Sequence, residues 1–324
     1  MSVMVQTIRG PIAIEDLGLT LSHEHLTAGS GTMDRVPSVY NEDDAYAVNI
    51  EALARAKAAG VRSMIDLTTM DLGRQVRLLQ RVADADTGVN IVCATGVYRW
   101  VPAYFMGRDP DDIAEFMLGE ITEGIEGTGI RAGIIKLAWD LEYRLDEGPW
   151  SPRSALERCA RGAARAAKAA GVPISCHTLA TDELGTPLLD IFQDEGLDLA
   201  AVTIGHSNDT TDLDYLGRIA GRGANLGFDR YGGVRDDAEN ERRAALAKSM
   251  FDAGFGEQVS LGHDGSPYMR FGGIRPTNLD CWTAVPTHEV PWLRAHGLSD
   301  EQIAGMTERS IRRTFEAAAG MRRG

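Results

Sequence analysis

The sequence lacks most features of a secreted, membrane-spanning or nucleic-acid-binding protein. Its 324 residues include only four cysteines, which form no CxxC pair, and no run of about 18 apolar residues occurs. The first residues show no basic segment followed by an apolar one, so we predict no signal peptide. Acidic residues outnumber basic ones by 47 to 33, which argues against nucleic acid or an anionic membrane as a partner. Unpaired cysteines favour a reducing, cytoplasmic location.

Short β-rich runs alternate with alanine-rich stretches of helical pattern along the whole chain. Eight runs are predicted as strands: residues 19–25, 62–68, 89–95, 131–137, 172–177, 200–206, 224–229 and 258–264. Helical patterns lie between them, and several end at a glycine directly before the next strand, as at Gly60, Gly171 and Gly223. Apolar strands that alternate with amphipathic helices indicate a parallel sheet covered on its faces.

Eight such units without a change in composition predict one domain over residues 1–324, an α/β fold of the (β/α)8 (TIM) barrel type. The alternative is an open, doubly wound sheet. Residues 265–286 form a long Gly/Pro-rich stretch after the eighth strand, and we expect it to lie over the C-terminal mouth of the barrel. Two further helices are predicted beyond it, at residues 287–296 and 300–319.

Side chains that can bind metal ions lie at or near the ends of five predicted strands. His23 and His25 stand two positions apart on the first strand, so their imidazoles point to the same face. The remaining candidates come from the fourth, fifth, sixth and eighth strands: Lys136, His177, His206 and Asp264. In a barrel all of them would face the C-terminal mouth, where enzymes of this fold carry their chemistry.

This set of side chains predicts a centre with two divalent metal ions. Imidazole and carboxylate suit zinc best, and manganese, iron or cobalt as alternatives. The candidates outnumber the ligands that one tetrahedral ion needs, so a two-metal site is the natural interpretation. A lysine beside two cations cannot remain an ammonium ion because of repulsion. Lys136 must therefore be neutral, or be converted by carbon dioxide to an anionic carbamate that bridges both ions.

The same motifs carry a resemblance to a known family. They are GLTLSHEH at residues 18–25, IK at 135–136, ISCHT at 174–178, VTIGH at 202–206 and HD at 263–264. Each motif falls on a different predicted strand, in the order found in the family. Over about residues 7–315, the chain resembles the phosphotriesterase family of the amidohydrolase superfamily, and within it the phosphotriesterase-like lactonases.

The resemblance implies two ligand sets, one for a buried and one for an exposed ion: His23, His25 and Asp264 for the buried ion, and His177 and His206 for the exposed one. Carboxylated Lys136 would bridge the two. Asp264 would also act as the general base that takes the proton from the bridging hydroxide.

Two more residues match family positions near the metals. The hydroxyl of Tyr98, after the third strand, would bond the nucleophile or the leaving alkoxide. Arg230 belongs to an Asp-Arg pair in which Asp229 could orient a ligand histidine or Arg230 itself. From the residues alone, a packing role for Tyr98 and a structural ion pair for Arg230 remain open.

These roles imply a lactonase in which a metal-bridging hydroxide attacks a lactone carbonyl, with secondary activity on phosphotriesters. An amide or carboxylic-ester hydrolase with the same centre is an alternative. Another is a Schiff-base enzyme that uses Lys136, although His23 and His25 have no part in that chemistry. A non-catalytic metal-containing ligand-binding barrel is the third. The expected substrate is a small molecule, and the resemblance implies a homodimer.

Overall fold

Eight parallel strands form the frame of the molecule. The computed structural model describes residues 2–29, 40–99, 101–146, 148–231, 237–270 and 277–322. A short antiparallel hairpin comes first, β1 (Met4–Thr7) and β2 (Gly10–Ala13). One sheet then contains eight strands, each parallel to the next in the chain: β3 (Thr20–Glu24), β4 (Ser63–Asp66), β5 (Asn90–Gly96), β6 (Ile134–Trp139), β7 (Ile174–Thr178), β8 (Val202–Ile204), β9 (Asn225–Phe228) and β10 (Val259–Leu261).

The first and last strands of this sheet meet, so that the sheet closes. The backbone N–H of Asp264 donates to the carbonyl of His23 at 2.9 Å, and the N–H of His25 donates to the carbonyl of Gly265 at 2.9 Å. Glu24 and Gly265 form a parallel bridge at the same place. We call this junction, residues 23–25 against 264–265, the seam. The predicted (β/α)8 barrel is confirmed.

Helices alternate with the strands: α1 (Glu42–Ala58), α2 (Val76–Asp84), α3 (Pro110–Thr122), α4 (Pro152–Ala170), α5 (Gly185–Asp194), α6 (Leu213–Gly221), α7 (Asp237–Met250), α8 (Val290–Ala295), α9 (Asp300–Ala304) and α10 (Ser310–Met321). The sequence defines α4 clearly. The Ser151 side chain accepts a hydrogen bond from the N–H of Ser154, and Pro152 begins the helix. Gly171, with a φ of 71°, ends it in the left-handed conformation that glycine adopts without strain.

Apolar side chains form two layers on the two faces of the sheet. Ile91 and Cys93 of β5 belong to the large layer, while Val92 and Ala94 belong to a smaller one that also contains Val5 of the hairpin. The N–H of Ile8, in the hairpin turn, donates to the carbonyl of Ile91 at 2.8 Å. The hairpin therefore covers the N-terminal end of the barrel, opposite the end that carries the candidate site.

Several boundaries differ from the sequence prediction. His206 and Asp264 lie beyond the ends of β8 at Ile204 and β10 at Leu261, and both have left-handed backbone conformations. Lys136 lies inside β6, which runs on to Trp139. The sequence pattern does not single out the hairpin or helices α2, α5 and α6.

The C-terminal part is helical where the sequence predicts it. Helical turns begin at Val285 and continue through α8, and a π-helical segment at Gly305–Arg309 joins α9 to α10. In the loop predicted over the mouth, residues 271–276 lie outside the described residues. Within the described ranges, no helix combines the length and the apolar character needed to cross a membrane.

A buried carboxyl group lies where the C-terminal helices contact the barrel. Glu289 is 4% exposed and meets the side chain of Tyr231, which is also buried. Burial raises the pKa of Glu289 to about 8, although the hydrogen bond with Tyr231 opposes this rise. The group is therefore mostly protonated in the folded protein at neutral pH.

Glu289→Gln is expected to remove a pH dependence of stability. The unfolded carboxyl has a pKa of about 4.3, so between this pH and pH 8 the unfolded state binds fewer protons than the folded state. The wild-type free energy of unfolding should then fall as the pH rises, by up to about 1.4 kcal/mol per pH unit. Urea unfolding from pH 4.5 to 8.5 measures the difference between the two proteins. Exposed Glu316→Gln is the control, and parallel profiles for wild type and Glu289→Gln would contradict the prediction.

Candidate metal centre

His23, His25 and Asp264 meet at the seam. Oδ1 of Asp264 lies 3.0 Å from Nε2 of His25 and 3.3 Å from Nε2 of His23. One ligand atom of each residue lies within 4.8 Å of the others, so the three could hold a metal ion. The register of β3 shifts between Leu21 and Glu24. Such bulges are common beside active sites, because they change the direction of side chains.

His177, His206 and Lys136 approach the same place from other strands. Nε2 of His206 lies 2.7 Å from Nδ1 of His177, and Nζ of Lys136 lies 3.1 Å from Nε2 of His23. The rings of His23 and His206 stack with centroids 5.1 Å apart, which joins the two groups. The structure thus brings together all the ligands predicted from the sequence, which we call the ligand cluster: His23, His25, Lys136, His177, His206 and Asp264.

Asp229 lies behind two of these imidazoles. Its Oδ2 is 2.7 Å from Nδ1 of His23, and its Oδ1 is 2.8 Å from Nδ1 of His206. A neutral imidazole that donates its Nδ1 hydrogen to a carboxylate keeps its lone pair on Nε2. Nε2 of both histidines therefore presents its lone pair to the cluster, as a metal ligand must. Burial alone would raise the pKa of Asp229, but the two imidazoles hold it well below its usual range.

The ring of His177 has the opposite orientation to those of His23 and His206. Its Nε2 lies 2.7 Å from Oδ2 of Asp140, so that Nδ1 faces the cluster. Arg99 lies 3.2 Å from the same carboxylate oxygen. Burial opposes ionisation of Asp140, yet the hydrogen bond with His177 and the charge of Arg99 lower its pKa to about 2. Asp140 is thus a firmly ionised acceptor behind His177.

A hydroxyl and a carboxylate support the remaining imidazole. Nδ1 of His25 lies 2.9 Å from Oγ1 of Thr68, which in turn donates to Oδ1 of Asp66 at 2.5 Å. Sequence reasoning misses Thr68, Asp66 and Asp140 as supporting residues. Asp66 ends β4, and Asp140 directly follows β6. A search for carboxylates at strand ends, alongside histidines, would have found both.

Burial keeps three imidazoles of the cluster unprotonated, those of His23, His177 and His206. It lowers the pKa of His23 to about 4 and that of His206 to about 3, and it also lowers the pKa of His177. Neutral imidazole is the form that binds metals. Burial also lowers the pKa of Lys136 to about 8. Lys136 has no exposed surface, and its amine contacts an imidazole nitrogen rather than a carboxylate.

Two members of the cluster have left-handed backbones. The φ angle is 58° at His206 and 51° at Asp264. Such angles persist where the surroundings strongly determine them, and they are often found at functional sites. Here the N–H of His206 donates to Oδ1 of Asp229, and that of Asp264 donates to the carbonyl of His23, both at 2.9 Å.

Tyr98 and Arg230 both reach the cluster. The hydroxyl of Tyr98 lies 3.4 Å from Nδ1 of His177, and burial raises the pKa of this phenol. Nη1 of Arg230 lies 2.5 Å from Oδ2 of Asp264. Arg230 is thus placed beside the carboxylate oxygen that does not face His23 and His25.

The residues present fit divalent transition-metal ions. Their imidazole nitrogens point at one another and at an amine, with separations as short as 2.7 Å, so a divalent cation placed among them would accept all their lone pairs together. His23, His206 and Asp229 also lie close enough to hold an ion. There the carboxylate contacts the Nδ1 atoms of both rings, so we assign it the orienting role.

The fold and the site together define a (β/α)8 barrel with a group at its C-terminal mouth that could hold metal ions. The family model described as "Phosphotriesterase family" matches residues 3–315, and the chain belongs to the phosphotriesterase family. The homologues that match include hydrolases. This confirms the family resemblance seen in the sequence.

Individual relatives and a solved structure agree with this family assignment. A phosphotriesterase homology protein of Mycobacterium tuberculosis (strain CDC 1551 / Oshkosh) is 37% identical over 331 residues, 98% of each chain. An aryldialkylphosphatase of Saccharolobus solfataricus is 33% identical over 316 residues, 94% of this chain and 96% of the relative. The solved structure of the phosphotriesterase from Mycobacterium tuberculosis superimposes with a TM-score of 0.84 at 33% identity, covering 97% of this chain and 98% of that one.

Asp229→Asn is expected to weaken divalent-ion binding by about 10- to 100-fold. The amide cannot accept hydrogen bonds on both sides, so one histidine must move its proton to the nitrogen that faces the cluster. A chelator competition with quantified zinc measures the affinity. Asp140→Asn should weaken only binding that involves His177, and exposed Asp190→Asn should have no effect. A wild-type affinity for divalent ions in Asp229→Asn would contradict the orienting role of Asp229.

Proposed function

We propose that the protein is a hydrolase with two divalent metal ions, zinc being favoured, in the ligand cluster. His23, His25 and Asp264 hold one ion, and His177 and His206 hold the other. The proposal is supported by the convergence of these side chains and by the neutral state of the histidines for which burial lowers the pKa. When bound, the ions supply the nucleophile and polarise the scissile carbonyl.

Lys136 is proposed to bridge the two ions as a carbamate. Only a neutral amine reacts with carbon dioxide, and burial lowers the pKa of Lys136 to about 8. At pH 7 roughly a tenth of the amine is then neutral, which allows the reaction. The carbamate also replaces a buried positive charge with a negative one, as the neighbourhood of two cations requires. A Schiff-base role fits less well, because the fully buried amine offers little access to a carbonyl substrate.

The substrate we propose is a lactone, which water opens to a hydroxy acid. Asp264 accepts the proton of the attacking water, since its carboxyl is ionised: burial opposes this, but the nearby histidines and Arg230 hold its pKa well below the usual range. Arg230 fixes the orientation of this carboxylate through Oδ2. The Tyr98 phenol, protonated because burial raises its pKa, donates to the leaving alkoxide.

The observation that favours a lactone over an activated phosphotriester is the position of the Tyr98 hydroxyl, 3.4 Å from Nδ1 of His177. An alkoxide leaving group needs a proton or a hydrogen-bond donor, whereas the aryl oxide of an activated phosphotriester leaves without one. We therefore propose phosphotriester hydrolysis as the secondary activity. We also propose that the protein acts on a small molecule in the cytoplasm and as a homodimer, as the resemblance implies.

Asp264→Asn is expected to reduce kcat/KM for a lactone by about 100- to 10,000-fold. Asparagine tolerates the left-handed backbone at this position, so the variant separates loss of the base from backbone strain. The assay is a panel of lactones, carboxylic esters, amides and a phosphotriester, on protein with quantified metal. Exposed Asp252→Asn is the control. Activity confined to amides would contradict the lactonase proposal, and bound metal without turnover would favour the ligand-binding barrel.

Carboxylation of Lys136 predicts a carbamate signal in 13C NMR after incubation with 13C-bicarbonate and zinc. The signal should be absent from Lys136→Gln, which cannot react with carbon dioxide. Lys168→Ala, at a surface lysine bonded to the carbonyl of Glu195, should keep it. Two tightly bound ions in the wild type without any carbamate signal would contradict the bridging role of Lys136, because an amine has only one lone pair.

A further inference from the structure

Glu24, the residue of β3 between His23 and His25, binds the segment across the seam through its side chain. Glu24 is fully buried. Its Oε1 accepts hydrogen bonds from the backbone N–H of His263 at 2.9 Å and from Nδ1 of His263 at 2.7 Å. Its Oε2 accepts one from the backbone N–H of Gly265 at 3.2 Å. One carboxylate therefore holds the residues on both sides of Asp264.

His263 extends this arrangement to the loop that follows the barrel. Its Nε2 accepts a hydrogen bond from the N–H of Val285 at 2.9 Å, so the proton of the neutral ring lies on Nδ1, facing Glu24. The indole N–H of Trp282 donates to the carbonyl of Gly265 at 3.1 Å. The loop thus leaves the seam at Gly265 and returns to it at Val285, and both ring nitrogens of His263 are used away from the ligand cluster.

Asp264 needs such support. Its left-handed φ of 51° strains the backbone of an aspartate, and neighbouring contacts must offset this strain. Glu24 lies between His23 and His25 in the chain, while its carboxylate binds the neighbours of Asp264. Any shift at this contact would move β3 relative to β10. Metal–ligand distances tolerate errors of only about 0.2 Å, so a small shift matters.

We infer that Glu24 and His263 are a positioning pair that sets the geometry of the site formed by His23, His25 and Asp264. Neither side chain reaches the ions or the substrate; they act through the backbone of the seam. The inference rests on the proposed function, because it concerns the site of one of the two proposed ions.

The test is a cobalt titration of metal-free protein, followed by visible absorption and by competition with a chelator. Glu24→Gln places an amide N–H₂ against either the N–H of Gly265 or the two donors of His263, so one bond at the seam must break. His263→Ala removes the side-chain donor altogether. Each variant should bind one cobalt ion about 10- to 100-fold more weakly, with a changed absorption spectrum, and the other ion unchanged.

A rescue variant and a matched control make the test specific. His263→Asn should restore cobalt affinity to near the wild-type value, because its amide nitrogen occupies the position of Nδ1 and can donate to Glu24. Glu289→Gln makes the same chemical change at another buried carboxyl, one that lies outside the seam, and should leave both affinities unchanged. Urea unfolding of each metal-free variant separates a loss of stability from a loss of geometry.

Unchanged cobalt affinity and spectrum in His263→Ala would overturn the inference, even if its stability falls and even if Glu24→Gln fails to fold. A His263→Asn variant as weak as His263→Ala would overturn it too, because the contact with Glu24 would then not be the cause. If the wild type binds two cobalt ions and the variants bind them with unchanged affinity and spectrum, the inference is refuted while the proposed function stands. A wild type that takes up no cobalt refutes the proposed function, and the inference with it.

Discussion

The closure of the barrel is the constraint on which the rest of the structure depends. A closed sheet requires a fixed stagger between its first and last strands. Here the bonds that complete the closure join His23 and His25 to Asp264 and Gly265. The hydrogen bonds that finish the fold therefore also set the distances between ligands from opposite ends of the chain. A site assembled across the seam can form only when the whole barrel has formed.

The ligand cluster concentrates groups that a protein core ordinarily avoids. Burying imidazoles, an amine and carboxylates costs free energy unless each polar atom finds a partner. The structure supplies partners on the outer side of the cluster, where Asp229, Asp140 and Thr68 each bond a ring nitrogen. The nitrogens that face inward meet one another, the amine of Lys136 and the carboxylate of Asp264. Burying these nitrogens without a cation costs free energy, and a bound cation removes that cost. The same arrangement therefore explains the affinity of the site for a cation.

Much of the fold follows from the sequence because its signals are local. Each barrel strand is a short apolar run, and alternation along that run places Lys136 on the same face as Ile134. The strand ends are less predictable. His206 and Asp264 follow the strand ends in left-handed conformations that depend on Asp229 and on the seam. The hairpin at residues 4–13 is too short for its pattern to stand out.

The ligands of the site are easier to predict than the residues behind them. Histidine at a strand end is rare enough to be noticed, and the order of the motifs adds specificity. Asp140 lies 37 residues from His177 in the chain, and Glu24 lies 239 from His263, so no local pattern relates them. Asp229 is visible in the sequence only as the neighbour of Arg230. Its contact with two histidines is a consequence of the barrel, which brings β3, β8 and β9 to one mouth.

The choice among substrates depends on loops rather than on the cluster. The same centre could polarise a lactone, an ester, an amide or a phosphoryl group, so discrimination must come from groups that meet the leaving atom. Tyr98 is such a group, and its backbone N–H donates to both oxygens of Asp71, at 2.8 and 3.1 Å. This contact between neighbouring loops fixes where the phenol lies. A donor held in place lowers the barrier for a substrate whose leaving oxygen needs a proton, and it adds little for one that does not.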